Sequence, residues 1–156
     1  MTEKQLSVIT KLSELEESVG RLYETYAVIF PDYRNFWVNM ASDEREHAAW
    51  VAKLRSLIDN RLVVFSEGRF KVEAIQTFLK YIDEELGKAK EKNLFLMNAL
   101  SITLYIEESL IEHKYFEVVE GDSPELKSIL RDLAGATQKH ADSARETFNA
   151  YKAKIK

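Results

Sequence analysis

The sequence predicts an all-α protein: a single domain over residues 1–156, with four long helices and a short crossover helix between the second and the third. The chain has only five glycines and two prolines in 156 residues, whereas sandwiches and barrels need many turns and therefore more of both. Hydrophobic residues make up 46% of the chain and recur at helical spacing over long stretches. The length suits one domain.

The first two helices are expected to form an antiparallel hairpin. The first should run from about Lys4 to Phe30 and end there, because the residue before Pro31 avoids the α region. Proline suits the first turn of a helix. The second helix is therefore expected to begin at Pro31 and to end near Asn60.

A short helix and a third long helix are expected after a connection at residues 61–69. Gly87 is a suitable C-cap for the short helix, and the third long helix should extend from Lys90 to Glu120. The segment from Leu94 to Ile106 is apolar on nearly every side, so it must be covered on more than one face. The short helix could supply that cover, and so could a second subunit in a homodimer.

The last helix is expected to start after a strong stop signal. Gly121 can end one helix, and Ser123 can cap the next, with Pro124 at its first position. The last two long helices then form a second antiparallel hairpin. The short helix would carry the chain from one end of the bundle to the other, so the third long helix would run parallel to the second.

Composition excludes several classes of function. The chain has no cysteine, which excludes a disulfide scaffold, a cysteine nucleophile and any metal held by thiolates. Its formal net charge of −4 leaves no basic surplus for nucleic acid. Residues Met1–Ser7 lack the apolar stretch of a signal peptide, and the run Leu94–Ile106 is shorter than the roughly 20 residues that span a bilayer. We therefore expect a cytoplasmic protein with no nucleic-acid or membrane partner.

Each predicted long helix carries polar residues within its apolar stripe, at similar distances from the hairpin turns. On the second helix two of them lie three positions apart and so share one face. In antiparallel hairpins with short turns, all of them fall in one layer of the bundle. These residues are Glu16 on the first helix, Glu44 and His47 on the second, Glu107 or its neighbour Glu108 on the third, and Thr137 and His140 on the fourth.

Carboxylates buried in such a layer need positive charge. Three glutamates that face a core are costly unless they are protonated or paired. No lysine or arginine interrupts the stripes near the layer, so metal cations would have to supply the charge. Carboxylate oxygen and imidazole nitrogen, with no sulfur, suit iron or manganese and tolerate zinc.

At these residues the sequence resembles the ferritin-like superfamily, and within it the rubrerythrin-like branch. Glu44–His47 is a Glu-x-x-His segment, and Glu16 has Tyr23 seven positions later, where that family often has a tyrosine beside the metal. The segment Leu104–Glu107 looks like the third-helix ligand segment, which favours Glu107 over Glu108. Thr137–His140 occupies the place of the second Glu-x-x-His.

The resemblance implies two metal ions, expected to be iron, in a carboxylate-bridged centre that reacts with peroxide or dioxygen. By this resemblance Glu16, Glu44 and His47 bind the first metal, Glu44 and Glu107 bridge, and His140 binds the second. Tyr23 and Thr137 would lie beside the ligands. No catalytic residue is assigned beyond these.

Two departures from the family pattern matter for function. Thr137 stands where a glutamate is expected, so the second metal should be weaker or only partly occupied. The cysteine-rich electron-transfer domain of full-length rubrerythrins has no counterpart here, so redox turnover would need an external electron donor. The alternatives are a metal-binding module without turnover, and a helical association protein with a degenerate site.

Overall fold

The computed structural model describes residues 3–59, 64–65, 72–91, 93–113, 119–120 and 124–155. These residues form five α-helices, one turn of 3-10 helix and two strands of two residues each, which confirms the all-α class. The helices are α1 Glu3–Ile29, α2 Arg34–Asp59, α3 Val72–Lys90, α4 Leu96–His113 and α5 Pro124–Ile155, and the strands are β1 Val64–Phe65 and β2 Val119–Glu120.

The turn between α1 and α2 has the geometry that Pro31 imposes. Phe30, the residue before the proline, has φ −118° and ψ 79°, which lies outside the helical region. Its backbone N–H still donates to the carbonyl oxygen of Tyr26 at 2.9 Å. Pro31–Tyr33 then forms the 3-10 turn. The predicted break is confirmed, but the α-helix resumes at Arg34 rather than at Pro31.

The predicted boundaries of the short helix and of the third long helix are wrong. Gly87 lies inside α3, which continues to Lys90. A glycine within a helix costs about 1 kcal/mol relative to alanine, a cost that the buried face of α3 against α1 can outweigh. The predicted helix Lys90–Glu120 is too long at both ends, because residues 93–95 are not helical and Val119–Glu120 forms β2.

Each of the two short strands lies in one of the long connections between helices. β1 and β2 pair antiparallel, which places the α2–α3 connection and the α4–α5 connection at the same end of the molecule. Pro124 is the first residue of α5, as predicted. The roles predicted for Gly121 and Ser123, and most of the predicted connection 61–69, fall outside the described residues.

The contacts between helices show their directions. Near the start of α2, Trp37 Nε1 donates to Thr103 Oγ1 of α4 at 3.1 Å. Further along both helices, Glu44 and Glu107 approach the same residue of α5, His140. α2 and α4 therefore run in the same direction, as the sequence predicted. α3 packs along α1 and carries the chain back from the end where α2 stops to the end where α4 begins.

The core lies between these helices and is mostly aliphatic, with aromatic rings gathered near the α1–α2 turn. Trp37 is fully buried there and packs against Tyr26, Phe30, Tyr33 and Phe36. Among the described helices, none combines the length and the apolar character that crossing a membrane requires.

Candidate metal centre

Five polar side chains from four helices meet in the buried middle of the molecule. α2 contributes two of them, and α1, α4 and α5 contribute one each. Four of them interrupt the apolar stripes from which they were predicted, the fifth, Glu107, was one of two candidates on its helix, and each is at most 4% exposed. We call this set the Glu/His layer: Glu16, Glu44, His47, Glu107 and His140.

His140 uses both of its ring nitrogens. Nδ1 lies 3.0 Å from Glu44 Oε1 and 3.5 Å from Glu107 Oε1. Nε2 lies 2.9 Å from Oδ2 of Asp43, whose side chain is 53% exposed. A carboxylate on the outer nitrogen of a histidine fixes the tautomer and the ring orientation, and leaves the inner nitrogen for a metal. Asp43 therefore orients His140 from the surface.

His47 faces two carboxylates and an indole ring. Its Nδ1 lies 3.5 Å from Glu16 Oε2 and 3.4 Å from Glu44 Oε2. Both distances are longer than a good N–H···O hydrogen bond, so these contacts are ion pairs. The imidazole stacks on Trp50 with centroids 5.5 Å apart. Its centroid also lies 5.1 Å from that of His140. Because Glu44 contacts His140 as well, this one carboxylate contacts both histidines.

The two residues predicted beside the ligands differ in their contacts. Tyr23 is fully buried, and its hydroxyl donates to Glu107 Oε1 at 2.7 Å. Thr137 is also buried, but its hydroxyl donates to the carbonyl oxygen of Leu133, one turn earlier on α5, at 2.8 Å. The hydroxyl is thus engaged with its own helix backbone. As a result α5 offers one donor to the layer where a Glu-x-x-His segment would offer two.

The structure separates Glu107 from Glu108. Glu107 is fully buried in the layer. The side chain of Glu108 is 48% exposed and pairs with Arg145 at 2.8 Å. Glu107 is therefore the residue of α4 that faces the layer, as preferred from the sequence.

Burial and mutual contact govern protonation in the layer. Burial raises the pKa of Glu16 well above its ordinary value, and the nearby charge of Glu44 adds to this rise. Burial alone lowers the pKa of both histidines, but their carboxylate partners outweigh it and raise the pKa to about 10 for His47 and about 11 for His140. A metal ion must therefore displace protons from both rings in order to bind.

Three buried carboxylate oxygens have no hydrogen-bond partner among the described residues: Glu16 Oε2, Glu44 Oε2 and Glu107 Oε2. Two of them face His47 Nδ1 at 3.5 and 3.4 Å, beyond the length of a good hydrogen bond. Leaving a buried acceptor without a hydrogen bond is costly, and native proteins do so rarely. One donor atom each from Glu44, His47 and His140 lies within 4.8 Å of the other two. Two ligand atoms bound to one ion at about 2.0–2.2 Å lie up to about 4.4 Å apart, so small side-chain movements suffice to bring these three atoms onto one ion. These three residues form a group that could hold a metal ion, and the unpaired oxygens fit that chemistry.

A groove between α2 and α5 reaches the layer from the surface. Its volume is about 520 Å³, and Asn39, Ser42, Asp43, His140 and Ser143 form part of its wall. Asp43 and His140, which contact each other, both line this groove. A small solute or an ion can therefore approach the outer side of this histidine without separating the helices.

Trp50, which stacks on His47, was not predicted from the sequence, and neither was Asp43. Asp43 is exposed and does not interrupt an apolar stripe, so periodicity gives no sign of it. Its place directly before Glu44 is the available signal. A residue at the edge of a buried helix face can reach a side chain on the neighbouring helix, and here it reaches His140.

Comparison with models of known protein families, with curated proteins and with solved structures finds no match for this chain. Its function is therefore argued from the Glu/His layer itself.

Proposed function

We propose that this protein is a ferritin-like metalloprotein of the rubrerythrin-like kind, which binds iron in the Glu/His layer and reacts there with peroxide or dioxygen. The observation that carries the proposal is the convergence of three buried carboxylates and two imidazoles from four helices. The order of donors along the chain supports it: a glutamate on α1, Glu-x-x-His on α2, a glutamate on α4 and a histidine on α5.

In this proposal the donors divide between two neighbouring positions, and His47 and His140, which lie close enough to share one ion with Glu44, are assigned to different ions. Glu16, Glu44 and His47 would hold the first ion, and Glu107 and His140 the second. Glu44 contacts both rings and is therefore suited to bridge. Oxygen and nitrogen donors without sulfur suit iron or manganese and tolerate zinc. Bound iron would supply the one-electron redox chemistry that peroxide or dioxygen requires.

The surrounding residues would position these donors. Asp43 holds the ring of His140 by its outer nitrogen. Tyr23 holds Glu107 Oε1 and leaves Oε2 for a ligand bond. The indole of Trp50 covers one face of His47. Each contact fixes a side chain before the ion arrives, which lowers the entropy lost on binding.

Charge balance makes the second position the weaker one. The three glutamates bring three negative charges, and two divalent ions bring four positive ones. A glutamate at Thr137 would have balanced the layer, whereas the neutral hydroxyl of Thr137 cannot. Because a buried net charge is costly, the second ion should bind weakly or together with an added anion such as hydroxide.

The test is an anaerobic titration with ferrous iron, followed by hydrogen peroxide. We expect one tight site and one weaker site, and then consumption of peroxide with growth of the near-ultraviolet absorption of a ferric carboxylate centre. Glu107→Gln should weaken the second site, while the matched control Glu108→Gln should change neither step. Protein that takes up no ferrous iron, or a ferrous form that peroxide leaves unchanged, would contradict the proposal.

A metal-binding module without turnover is the second candidate. The observation that favours it is the hydrogen bond of Thr137 to Leu133, because it leaves α5 with a single donor. Tight iron binding without peroxide consumption, with and without an external electron donor, would support the module over the enzyme.

A further inference from the structure

A row of aromatic side chains starts at the Glu/His layer. Tyr23 is its first member, since its hydroxyl donates to Glu107 Oε1 at 2.7 Å. Tyr26 follows three positions later on α1, a spacing at which helix side chains are neighbours. The ring centroid of Tyr26 lies 5.3 Å from that of Trp37 on α2. Tyr23, Tyr26 and Trp37 are all 0% exposed.

The same row continues to the surface at the α1–α2 turn. The centroid of Tyr33 lies 6.3 Å from that of Trp37, and Tyr151 of α5 lies 6.2 Å from Tyr33. Both of these tyrosines are half-buried and line an open groove of about 710 Å³. The row thus runs from a hydrogen bond with a layer carboxylate to a surface that solutes can reach.

We propose that Tyr23, Tyr26, Trp37, Tyr33 and Tyr151 form an electron-transfer chain between the Glu/His layer and one-electron donors in solution. Tyrosine and tryptophan can lose one electron reversibly, whereas phenylalanine and aliphatic side chains cannot do so under the same conditions. The phenylalanines beside Trp37, Phe30 and Phe36, flank the row.

The hydroxyl of Tyr26 argues against packing as the whole reason for the row. Its oxygen is buried and has no hydrogen-bond partner among the described residues. Leaving a buried hydroxyl unpaired is unfavourable, so phenylalanine would fill the same space at lower cost. The electron-rich phenol ring at this position lies between Tyr23 and Trp37 and keeps its proton while the electron crosses it, because no acceptor faces its hydroxyl.

The transfer balances in electrons and protons. For each electron passed inward, Tyr23 gives one electron towards the layer, where hydrogen peroxide is the final acceptor, and its phenolic proton moves to Glu107 Oε1. Trp37 returns one electron to Tyr23 by way of Tyr26, and the proton moves back. Tyr151 restores Trp37 by way of Tyr33 and releases its own phenolic proton to solvent. An external donor such as ascorbate then gives Tyr151 one electron and one proton. Two passages, with two protons from solvent, reduce one hydrogen peroxide to two waters.

The role of this electron-transfer chain in turnover rests on the proposed function, but electron transfer along the aromatic row can be measured in metal-free protein. A surface oxidant should drive the same steps in the opposite order and leave a radical on Tyr23, where a proton acceptor is in contact.

The experiment uses flash-generated tris(bipyridine)ruthenium(III) with metal-free protein, rapid freezing and electron paramagnetic resonance. Ring-deuterated tyrosine or tryptophan identifies the radical. We expect a tyrosyl radical in the natural protein that is lost in Tyr23→Phe. In Trp37→Phe, and in the double variant Tyr33→Phe with Tyr151→Phe, the signal should fall to the Tyr23→Phe background. The double variant keeps the test valid if Trp37→Phe does not fold.

The control is Tyr105→Phe, since Tyr105 is 54% exposed and contacts Tyr81 rather than the row. It should leave the Tyr23 radical unchanged. A Tyr23 radical that forms equally well in folded Trp37→Phe and in the double variant would overturn the proposal. So would a radical located on Trp50, the indole that stacks on His47. Failure of iron binding would refute the proposed function and leave this result unaffected, because no metal is used.

Discussion

Glu44 is the residue on which the candidate site depends most. Its two carboxylate oxygens divide between the histidines, with Oε1 3.0 Å from His140 Nδ1 and Oε2 3.4 Å from His47 Nδ1. No other carboxylate in the described residues contacts both rings. In the proposed two-ion centre, removing Glu44 would therefore affect both ions, whereas removing Glu16 would affect one.

Glu44→Ala is expected to abolish metal binding. The loss of affinity should exceed the roughly 10–100-fold that removal of an outer partner costs, as measured by calorimetric titration with ferrous or manganous ion. Glu108→Ala should leave the affinity for the metal nearly unchanged, because Glu108 is exposed and pairs with Arg145. Equal harm from both substitutions would mean that Glu108, and not Glu107, supplies the ligand of α4.

Asp43→Asn should weaken metal binding without unfolding the protein. Asp43 is a positioning residue, because it holds His140 through the outer nitrogen, and loss of such a partner costs roughly 10–100-fold in affinity. Asp142→Asn is the matched control, since Asp142 is a similarly exposed carboxylate that pairs with Arg145. If titration gives the same affinity for Asp43→Asn as for the control, the orienting role is wrong.

Four of the five layer residues could be predicted individually because each one interrupts an apolar stripe, whereas the stripe alone did not separate Glu107 from Glu108. Placing a carboxylate or an imidazole in a core is costly without partners, so the interruption itself carries information. Asp43 could not be found in this way, because it is exposed and its partner lies 97 positions away. The bond from Thr137 to Leu133 was also beyond prediction, since it depends on one side-chain rotamer.

At the scale of elements, α3 shows how a helix can continue through a glycine. A Cβ added at Gly87 would have nothing within 4 Å, and the residue lies in a regular helix. Gly87→Ala is therefore expected to raise the free energy of unfolding by about 0.5–1 kcal/mol. Thermal denaturation would measure this change as a higher Tm. A lower Tm would indicate that Gly87 has the C-cap role that the sequence suggested.

α5 carries the clearest departure from a two-metal pattern, and it can be reversed. Thr137→Glu would create a second Glu-x-x-His segment. It would also supply the negative charge that is needed to balance a second divalent ion. We expect the second site to tighten and any peroxide consumption to rise, with titration changing from unequal to two comparable sites. Two equal, tight sites in the natural protein would contradict this expectation and would require another carboxylate near His140, for which Asp43 is the nearest candidate.

Element boundaries were predictable where the chain carries a chemical signal for them. Pro31 and Pro124 mark a helix end and a helix start, and both are observed. The break at residues 93–95 contains no glycine or proline, and Asn93 after a charged stretch is the only local signal for it. The pairing of β1 with β2 involves two residues on each side, too few for any alternation to show in the sequence.

At the scale of the whole molecule, protonation of the layer couples stability to pH. The pKa of His47 is about 10 and that of His140 about 11 in the folded protein, against an ordinary value near 6.5. Below pH 6.5 both states hold these protons and the stabilisation is complete. Above it only the folded state holds them, so the stabilisation is lost as pH rises through the folded values. The raised pKa of Glu16 acts in the same direction, starting at lower pH.

Metal-free protein should therefore become less stable between pH 6.5 and 9, by up to about 1.4 kcal/mol per pH unit for each histidine. Thermal denaturation after chelator treatment measures this, and the double variant His47→Gln with His140→Gln should show a much weaker dependence. Excess manganous ion should oppose the trend, because it binds the deprotonated ligands, and at 100 times its dissociation constant it adds about 2.7 kcal/mol. A metal-free Tm that is constant or rises over this range would contradict the assignment.

The division of the layer between two hairpins has a consequence for folding kinetics. The α1–α2 hairpin carries Glu16, Glu44 and His47, whereas Glu107 and His140 belong to the α4–α5 hairpin, with all of α3 between them in the chain. The complete donor set therefore forms only after the long segment between α2 and α4 has closed into a loop. Closing such a loop costs conformational entropy before any distant contact can form. If the hairpins dock after the rate-limiting step, a bound ion does not guide the chain to its fold. It instead slows the separation of two hairpins that have already docked, so the metal lengthens the lifetime of the native state and leaves the folding rate unchanged.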